Sequence, residues 1–281
     1  MALAQVLING LLLGGIYACI GAGFSIVWGV VNIINILHGS FIVLGAYGAF
    51  FAHRELGVHP FASMLPLAAV GWLLGAMLQH HLIRHVMAAK VLVTLTLTFG
   101  LNLLVNNLMI YGFSADFRKV VLPNQDPLVW AGLTLPVDRL LSMAAALCVV
   151  VATHLLITRT MLGRAIVAVR MDPQAATLMG VNVDRVFAIT FGLGTALALV
   201  AGAILSPIFP ISPTAADAYL GKAFIVCVLG GLGSLPGAAL GALIVGMVRA
   251  ASIHYRPELE LFAVYFVMAV VLIVRPKGLF S

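Results

Sequence analysis

Two stretches of this sequence carry residues whose types and spacing suit chemistry rather than packing alone. In the first, Asn32, Asn35 and His38 recur at i, i+3 and i+6 within an apolar run. If that run is one continuous helix, the three side chains share roughly one face. Polar groups in a bilayer must find hydrogen-bond partners, so this face looks at protein or at a watery pathway. It reads either as part of a substrate route, hydrogen-bonding a passing carboxylate or amide, or as polar glue between helices or a helix-end cap near the cytoplasmic interface.

The second stretch runs from Arg170 through Met171, Asp172, Pro173, Gln174, Ala175 and Ala176 to Gly180, Val181 and Asn182. Asp172 is a good N-cap, because its carboxylate accepts the orphan N–H groups of a first turn. Pro173 belongs at the first helical position, where its missing donor costs nothing. Gly180 suits the left-handed residue that ends a helix. The spacing therefore predicts one short helix near 172–180, about two turns long and capped at both ends. So short a helix is marginal in water alone. It is either a docking element held by a partner protein or a well-capped surface loop.

No other constellation carries chemistry. No Ser/His/Asp set or carboxylate pair stands out, so no catalytic residue is assigned. His80, His81 and His85 cluster beside Arg84 and read as water-facing at a membrane edge. Cys19, Cys148 and Cys227 lie singly in apolar runs without metal-ligand spacing, so no metal site is expected. The basic residues form no block with interleaved aromatics, and nucleic acid is excluded as a partner.

The elements that position these stretches follow from composition. The chain of 281 residues is 63% apolar and 9% charged, against about 45–50% and about 25% in ordinary globular domains. Such arithmetic excludes a cytosolic enzyme or a secreted disulfide scaffold and leaves a protein embedded in membrane lipid. Apolar runs of spanning length lie near 3–31, 36–52, 61–79, 91–112, 140–158, 186–206, 223–248 and 259–274. They do not alternate as barrel strands would. The expected fold class is all-α: a polytopic helical membrane protein of about eight hydrophobic segments, forming one transmembrane domain over residues 1–281. Charges such as Arg84, Lys90, Arg159, Arg185 and Arg249 mark span edges, and Lys222 is placed outside the spans with them.

One segment should break. The 223–248 run contains Gly230, Gly231, Gly233, Ser234, Pro236 and Gly237, whose glycines and proline disfavour a continuous helix. A re-entrant hairpin broken in mid-membrane is preferred to a kinked span. Gly10/Gly14, Gly71/Gly75 and Gly233/Gly237/Gly241 have the spacing of close helix packing. Pro207, Pro210 and Pro213 suggest an extended external segment, either part of an outer gate or a stiff linker. The basic residues divide almost evenly between the two sides, so charge alone does not orient the chain. With a hairpin in 223–248, the N-terminus falls outside and the C-terminus inside.

A family resemblance now becomes specific. The 172–180 loop, with its alanine pair followed by Gly180, is similar to the cytoplasmic coupling helix of ABC-transporter permeases. Asp172, Pro173, Ala175, Ala176 and Gly180 match the form in branched-chain amino acid permeases. So do Gly29-Val30-Val31-Asn32-Ile33-Ile34-Asn35-Ile36-Leu37-His38-Gly39, Gly230-Gly231-Leu232-Gly233-Ser234 and Arg275-Pro276-Lys277-Gly278-Leu279-Phe280. The chain resembles the shorter of the two paired permease types. The resemblance implies the permease subunit of an ATP-driven importer for branched-chain amino acids or a related small polar solute (amide, urea, carboxylate), working by alternating access. It implies a second related permease, two ATP-binding ABC subunits that carry ATP–Mg and dock on the coupling helix, and a periplasmic substrate-binding protein. The location implied is the bacterial inner membrane. This chain itself should be no enzyme and hold no cofactor. It has no G-x-x-x-x-G-K-[ST] loop to cradle phosphates, and no Asp or Glu in mid-span, where an ion-coupled carrier would need one. A stand-alone secondary transporter or channel is the alternative.

Overall fold

The structure, a computed structural model, describes residues 2–87, 89, 91–122, 126–130 and 132–280. Lys90, an expected span edge, lies outside the described residues. The chain forms α1 (Ala2–Val31), α2 (His38–Leu56), α3 (Met64–His81), α4 (Val91–Phe113), β1 (Leu128–Trp130), β2 (Leu133–Leu135), α5 (Val137–Arg159), α6 (Met161–Met171), α7 (Pro173–Leu178), α8 (Val183–Leu205), α9 (Ala216–Gly230), α10 (Leu235–Tyr255) and α11 (Glu260–Val274). Seven helices among the described residues are long and apolar enough to cross a membrane. This is a multi-pass helical membrane protein.

Helix α1 is the axis of the bundle. Its 30 residues exceed the roughly 20 that a straight span needs, and nearly all of them from Leu12 to Val27 are buried. The glycines explain how neighbours come so close. A Cβ on Gly10 would meet the Met247 backbone, and one on Gly14 the backbone of Leu243, so α10 lies directly on α1. Gly71 and Gly75 admit Ala196 and Thr195 of α8 in the same way. The expected small-residue contacts are present. Helices α4, α5 and α11 instead present broad apolar faces outward.

Four boundaries differ from expectation, each for a tertiary reason. First, 32–37 is not helical, so Asn32, Asn35 and His38 do not share a helix face. Asn32 ends α1 in the left-handed region (φ 55°), its N–H donating to Trp28 O at 3.0 Å. Asparagine is one of few residues that enters this region readily. The chain then doubles back, and α2 starts beside Ile20 of α1, whose carbonyl lies 3.1 Å from His38 Nε2.

Second, the 223–248 run is a hairpin, because the chain reverses between Gly230 and Leu235. Gly230 packs on Gly237, and Gly241 on Val226, so α9 and α10 are antiparallel. The turn does not lie in the middle of the bundle. A Cβ on Gly29, close to the end of α1, would come within 2.7 Å of Gly233 Cα. Helix α9 starts already at Ala216, which moves the turn to one end and places Lys222 inside the helix. Arg249 likewise lies inside α10, which continues to Tyr255.

Third, the region expected as a loop between Arg159 and Arg185 contains α6. Thr160 caps it by accepting from Gly163 N at 3.0 Å, and Leu162, Ala165, Ile166 and Val169 form its apolar side. Fourth, the proline segment after α8 is no exposed linker. Ile211 pairs with Arg118 in an antiparallel bridge, and Ser206, Ile208, Ile211 and Ser212 are buried.

Candidate functional site: the capped helix α7 and the polar elbow

Helix α7 has the geometry its residues dictate. Asp172 Oδ1 accepts from Gln174 N at 2.8 Å and from Ala175 N at 3.0 Å, with Pro173 next in line as the first helical residue. At the other end Gly180 is left-handed (φ 83°). Its N–H donates to Thr177 O at 2.9 Å, and Val181 N to Ala176 O at 3.0 Å, the paired bonds of a Schellman ending. Ala176 is buried against Ile166, Val169 and Val186, so α7 is seated on α6 and the start of α8. Ala175 is exposed.

The outer surface of this unit carries large exposed apolar side chains among its charges. Leu178 is 88% exposed and Met179 84%, and Met161 and Met171 at the two ends of α6 are also exposed. Sequence reasoning stopped at the caps and missed these four. Their signal was present: methionine at both ends of α6 and Leu178-Met179 at the end of α7, in a segment flanked by arginines. Long flexible side chains of this kind suit a contact that must adapt.

Arg170, in the last turn of α6, joins this unit to the α9–α10 turn. Its Nη1 donates to Gly233 O at 2.7 Å. The turn residues are ordered by their own bonds as well, since Ser234 Oγ accepts from Gly237 N at 3.1 Å to start α10 just ahead of Pro236. Gly231 and Gly233 both have positive φ, 102° and 84°, where a side chain would be strained. A cavity of about 380 Å³ opens here, lined by residues that include Gly29, His154, Arg170, Gly233, Pro236 and Phe280.

The polar residues of the elbow end up in different places. Asn32 is exposed at the tip. Asn35 is buried, and neither atom of its amide has a hydrogen-bond partner. His38 is fully buried edge-on to Phe24, with Nδ1 unpartnered. Helix α4 supplies a second polar row that sequence reasoning missed, with Thr94, Thr98, Asn102 and Asn106 at every fourth position. Thr98 Oγ1 donates to Ile34 O at 3.0 Å, and Ser40 Oγ lies 2.5 Å from Asn102 Oδ1 and 2.9 Å from Asn106 Oδ1. The elbow and this row make a polar seam inside an apolar bundle.

Among the described residues no three His, Cys, Asp or Glu side chains gather as a metal site would require. His80 and His81 are exposed, with Arg84 Nη1 3.4 Å from His80 Nδ1.

The sequence matches a family of known proteins over most of its length. The family described as branched-chain amino acid transport system / permease component matches residues 6–274. The high-affinity branched-chain amino acid transport system permease protein LivH of Salmonella typhimurium is 30% identical, over 98% of this chain and 94% of its own length. The permease protein BraD of Pseudomonas aeruginosa is also 30% identical, over the same shares. LivM of Salmonella typhimurium, a permease protein of the same kind of transport system, is 27% identical over 94% of this chain but only 67% of its own length. No solved structure matches. With a family match over nearly the whole chain and a helical bundle to carry it, the protein belongs to the permease components of branched-chain amino acid transport systems.

Proposed function

We propose that this chain is one permease subunit of an ATP-driven importer that moves branched-chain amino acids, or a related small amide, urea or carboxylate, by alternating access. In this reading a second, related permease completes the pore. Two ATP-binding ABC subunits, which hold ATP–Mg and hydrolyse it, dock on α6 and α7, and an external binding protein delivers the solute. The chain forms one permease domain, holds no cofactor and carries out no catalysis. It resides in a bacterial inner membrane with its N-terminus outside, and its C-terminus and α7 on the cytoplasmic side.

The single observation that carries the reading is the doubly capped α7. It is a rigid knob with Ala176 anchored beneath and exposed Leu178 and Met179 above. From it Arg170 leads directly to the α9–α10 turn. Asp172, Pro173, Ala175, Ala176 and Gly180 are its coupling residues. Movement pressed on the knob by the ATPases reaches Gly230, Gly231, Gly233, Ser234, Pro236 and Gly237, where the two helices hinge. Asn35 and His38, with Asn32 at the mouth, serve the solute route, because the Asn35 amide and His38 Nδ1 are buried polar groups without protein partners.

Co-purification tests the proposal. The chain, co-expressed with ATP-binding and second permease subunits, should bring the ATPases down intact. Gly180→Arg or Ala176→Asp should lose the ATPases while the permease pair persists. Retention of the ATPases by both variants, or uphill solute movement by the chain alone on an ion gradient, would overturn it.

A further inference from the structure

Two cations inside the bundle have no part in the coupling account. The Val226–Gly241 and Gly230–Gly237 contacts set the α9–α10 register, which places Lys222 beside the middle of α10. Its Nζ lies 4.9 Å from the ring centre of Tyr219 and 5.9 Å from that of Tyr17. Among the described residues Lys222 forms no ion pair. The Arg249 guanidinium approaches the same Tyr17 ring, at 5.6 Å, and the Phe209 ring at 5.7 Å. Arg249 Nε is paired with Glu260, yet its Nη1 has no hydrogen-bond partner. Nor has Tyr17 Oη, although Tyr17 is fully buried near the middle of α1.

Two cations and one carboxylate around one tyrosine leave the cluster with an excess positive charge. Aromatic faces attract cations but do not neutralise them. Charged side chains inside a membrane bundle are costly and mark ligand or ion routes. Arg249 Nη1 and Tyr17 Oη are buried donors without partners, and the part-buried Lys222 ammonium beside the same ring adds a third donor. An ionised carboxylate is the complementary group, since it only accepts. The surroundings fit the rest of such a ligand. Arg249 lines a cavity of about 100 Å³ with Asn9 and Arg139 on its polar side and Leu13, Phe209 and Ile253 on its apolar side; Tyr17 and Lys222 are not in its lining and reach it only through Arg249 and the shared Tyr17 ring.

We propose that Arg249, Lys222 and Tyr17 form a carboxylate-binding site for an aliphatic acid in transit, with Leu13, Phe209 and Ile253 against its hydrocarbon part. Glu260 competes for Arg249 and so keeps the hold weak, as a transit site requires. The identity of the ligand as an amino acid rests on the importer reading; recognition of its carboxylate does not. The site also joins the polar elbow, because Tyr17 and Phe24 lie on one side of α1, and Phe24 meets both His38 and Phe224 of α9.

Saturation-transfer difference NMR detects weak ligands and is applied to the assembled permease complex in neutral detergent. The probes are L-leucine, 4-methylvalerate and L-leucinamide, which carry a carboxylate, a carboxylate and no carboxylate respectively. Both carboxylates should saturate, with leucinamide at least about fivefold weaker, as loss of a charge-assisted contact implies. Lys222→Gln should lower the carboxylate signals to a similar degree, and Lys222→Arg should restore them. Lys222 forms no ion pair whose loss would disturb folding; the double variant Arg249→Gln/Glu260→Gln, which removes a pair together, is the second arm. Equal signals from leucine and leucinamide, full carboxylate signals in Lys222→Gln, or no carboxylate signal at all would overturn the site. Displacement of the carboxylates by added phosphatidylglycerol would assign the cations to a lipid headgroup and also overturn it. ATPase co-purification is unaffected by any of these outcomes and judges the importer reading separately.

Discussion

The guanidinium of Arg170 donates to the carbonyl of Gly233 across 2.7 Å, joining two parts of the chain 63 residues apart. On one side stands the α6–α7 unit with its exposed Leu178 and Met179. On the other is the turn between α9 and α10, resting on Gly29 of α1. The bond is solvent-exposed, so its net contribution is about 1 kcal/mol. It is strong enough to transmit a push and small enough to break and re-form.

The caps of α7 should set how firmly ATP-binding subunits are held. Asp172→Ala removes two accepted bonds and should cost about 1 kcal/mol of helix stability, whereas Asp172→Asn should be nearly neutral. Gly180→Val puts a branched side chain at φ 83°, where even ordinary residues lose roughly 1–2 kcal/mol. Retention of the ATPases on the solubilised permease, measured against salt, should fall for Asp172→Ala and fall further for Gly180→Val.

Gly29→Val and Gly233→Ala should each push the α9–α10 turn off α1. A Cβ on either residue comes within 3.0 Å of the other's backbone, a contact that neither side chain movement nor a rotamer change relieves. Thermal unfolding followed by fluorescence in detergent should show a lowered midpoint for both. The fall should exceed that of Gly112→Ala, where a Cβ meets nothing within 4 Å.

Asn35→Leu separates stability from function. Its amide is buried without partners, and an unsatisfied polar group of that kind costs about 1–3 kcal/mol. The leucine variant should therefore melt at a higher temperature than the parent. Transport of leucine by the assembled complex in vesicles should nevertheless fall. A variant that is both less stable and fully active would count against a role for the elbow in the solute route.

The short helix was legible because capping is local: Asp172, Pro173 and Gly180 specify it without reference to the rest of the chain. The glycine pairs at Gly10/Gly14 and Gly71/Gly75 were legible for the same reason, as a periodic absence of side chains. The elbow was not. The apolar runs stopped at 31 and resumed at 36, but the i, i+3, i+6 spacing put Asn32, Asn35 and His38 on one helical face, which the left-handed turn at Asn32 breaks. Lys222 was misplaced because the start of α9 depends on the 206–215 segment being buried against Arg118, a pairing between distant residues. The link from Arg170 to Gly233, the exposure of the methionines, and the Tyr17 cluster are likewise products of tertiary structure. The fold class was in the composition; the site's connections were in the folding.

The most direct measurement is ATP hydrolysis and leucine uptake, recorded together, by the assembled complex carrying Arg170→Gln in proteoliposomes. Hydrolysis should continue at close to the parental rate while uptake falls about tenfold, the scale expected for losing about 1.4 kcal/mol of coupling. Arg170→Lys, which keeps a donor without the planar fork, should lie between the two. Uptake that stays in proportion to hydrolysis in Arg170→Gln would contradict the claim that this bond links the capped helix to the hinge.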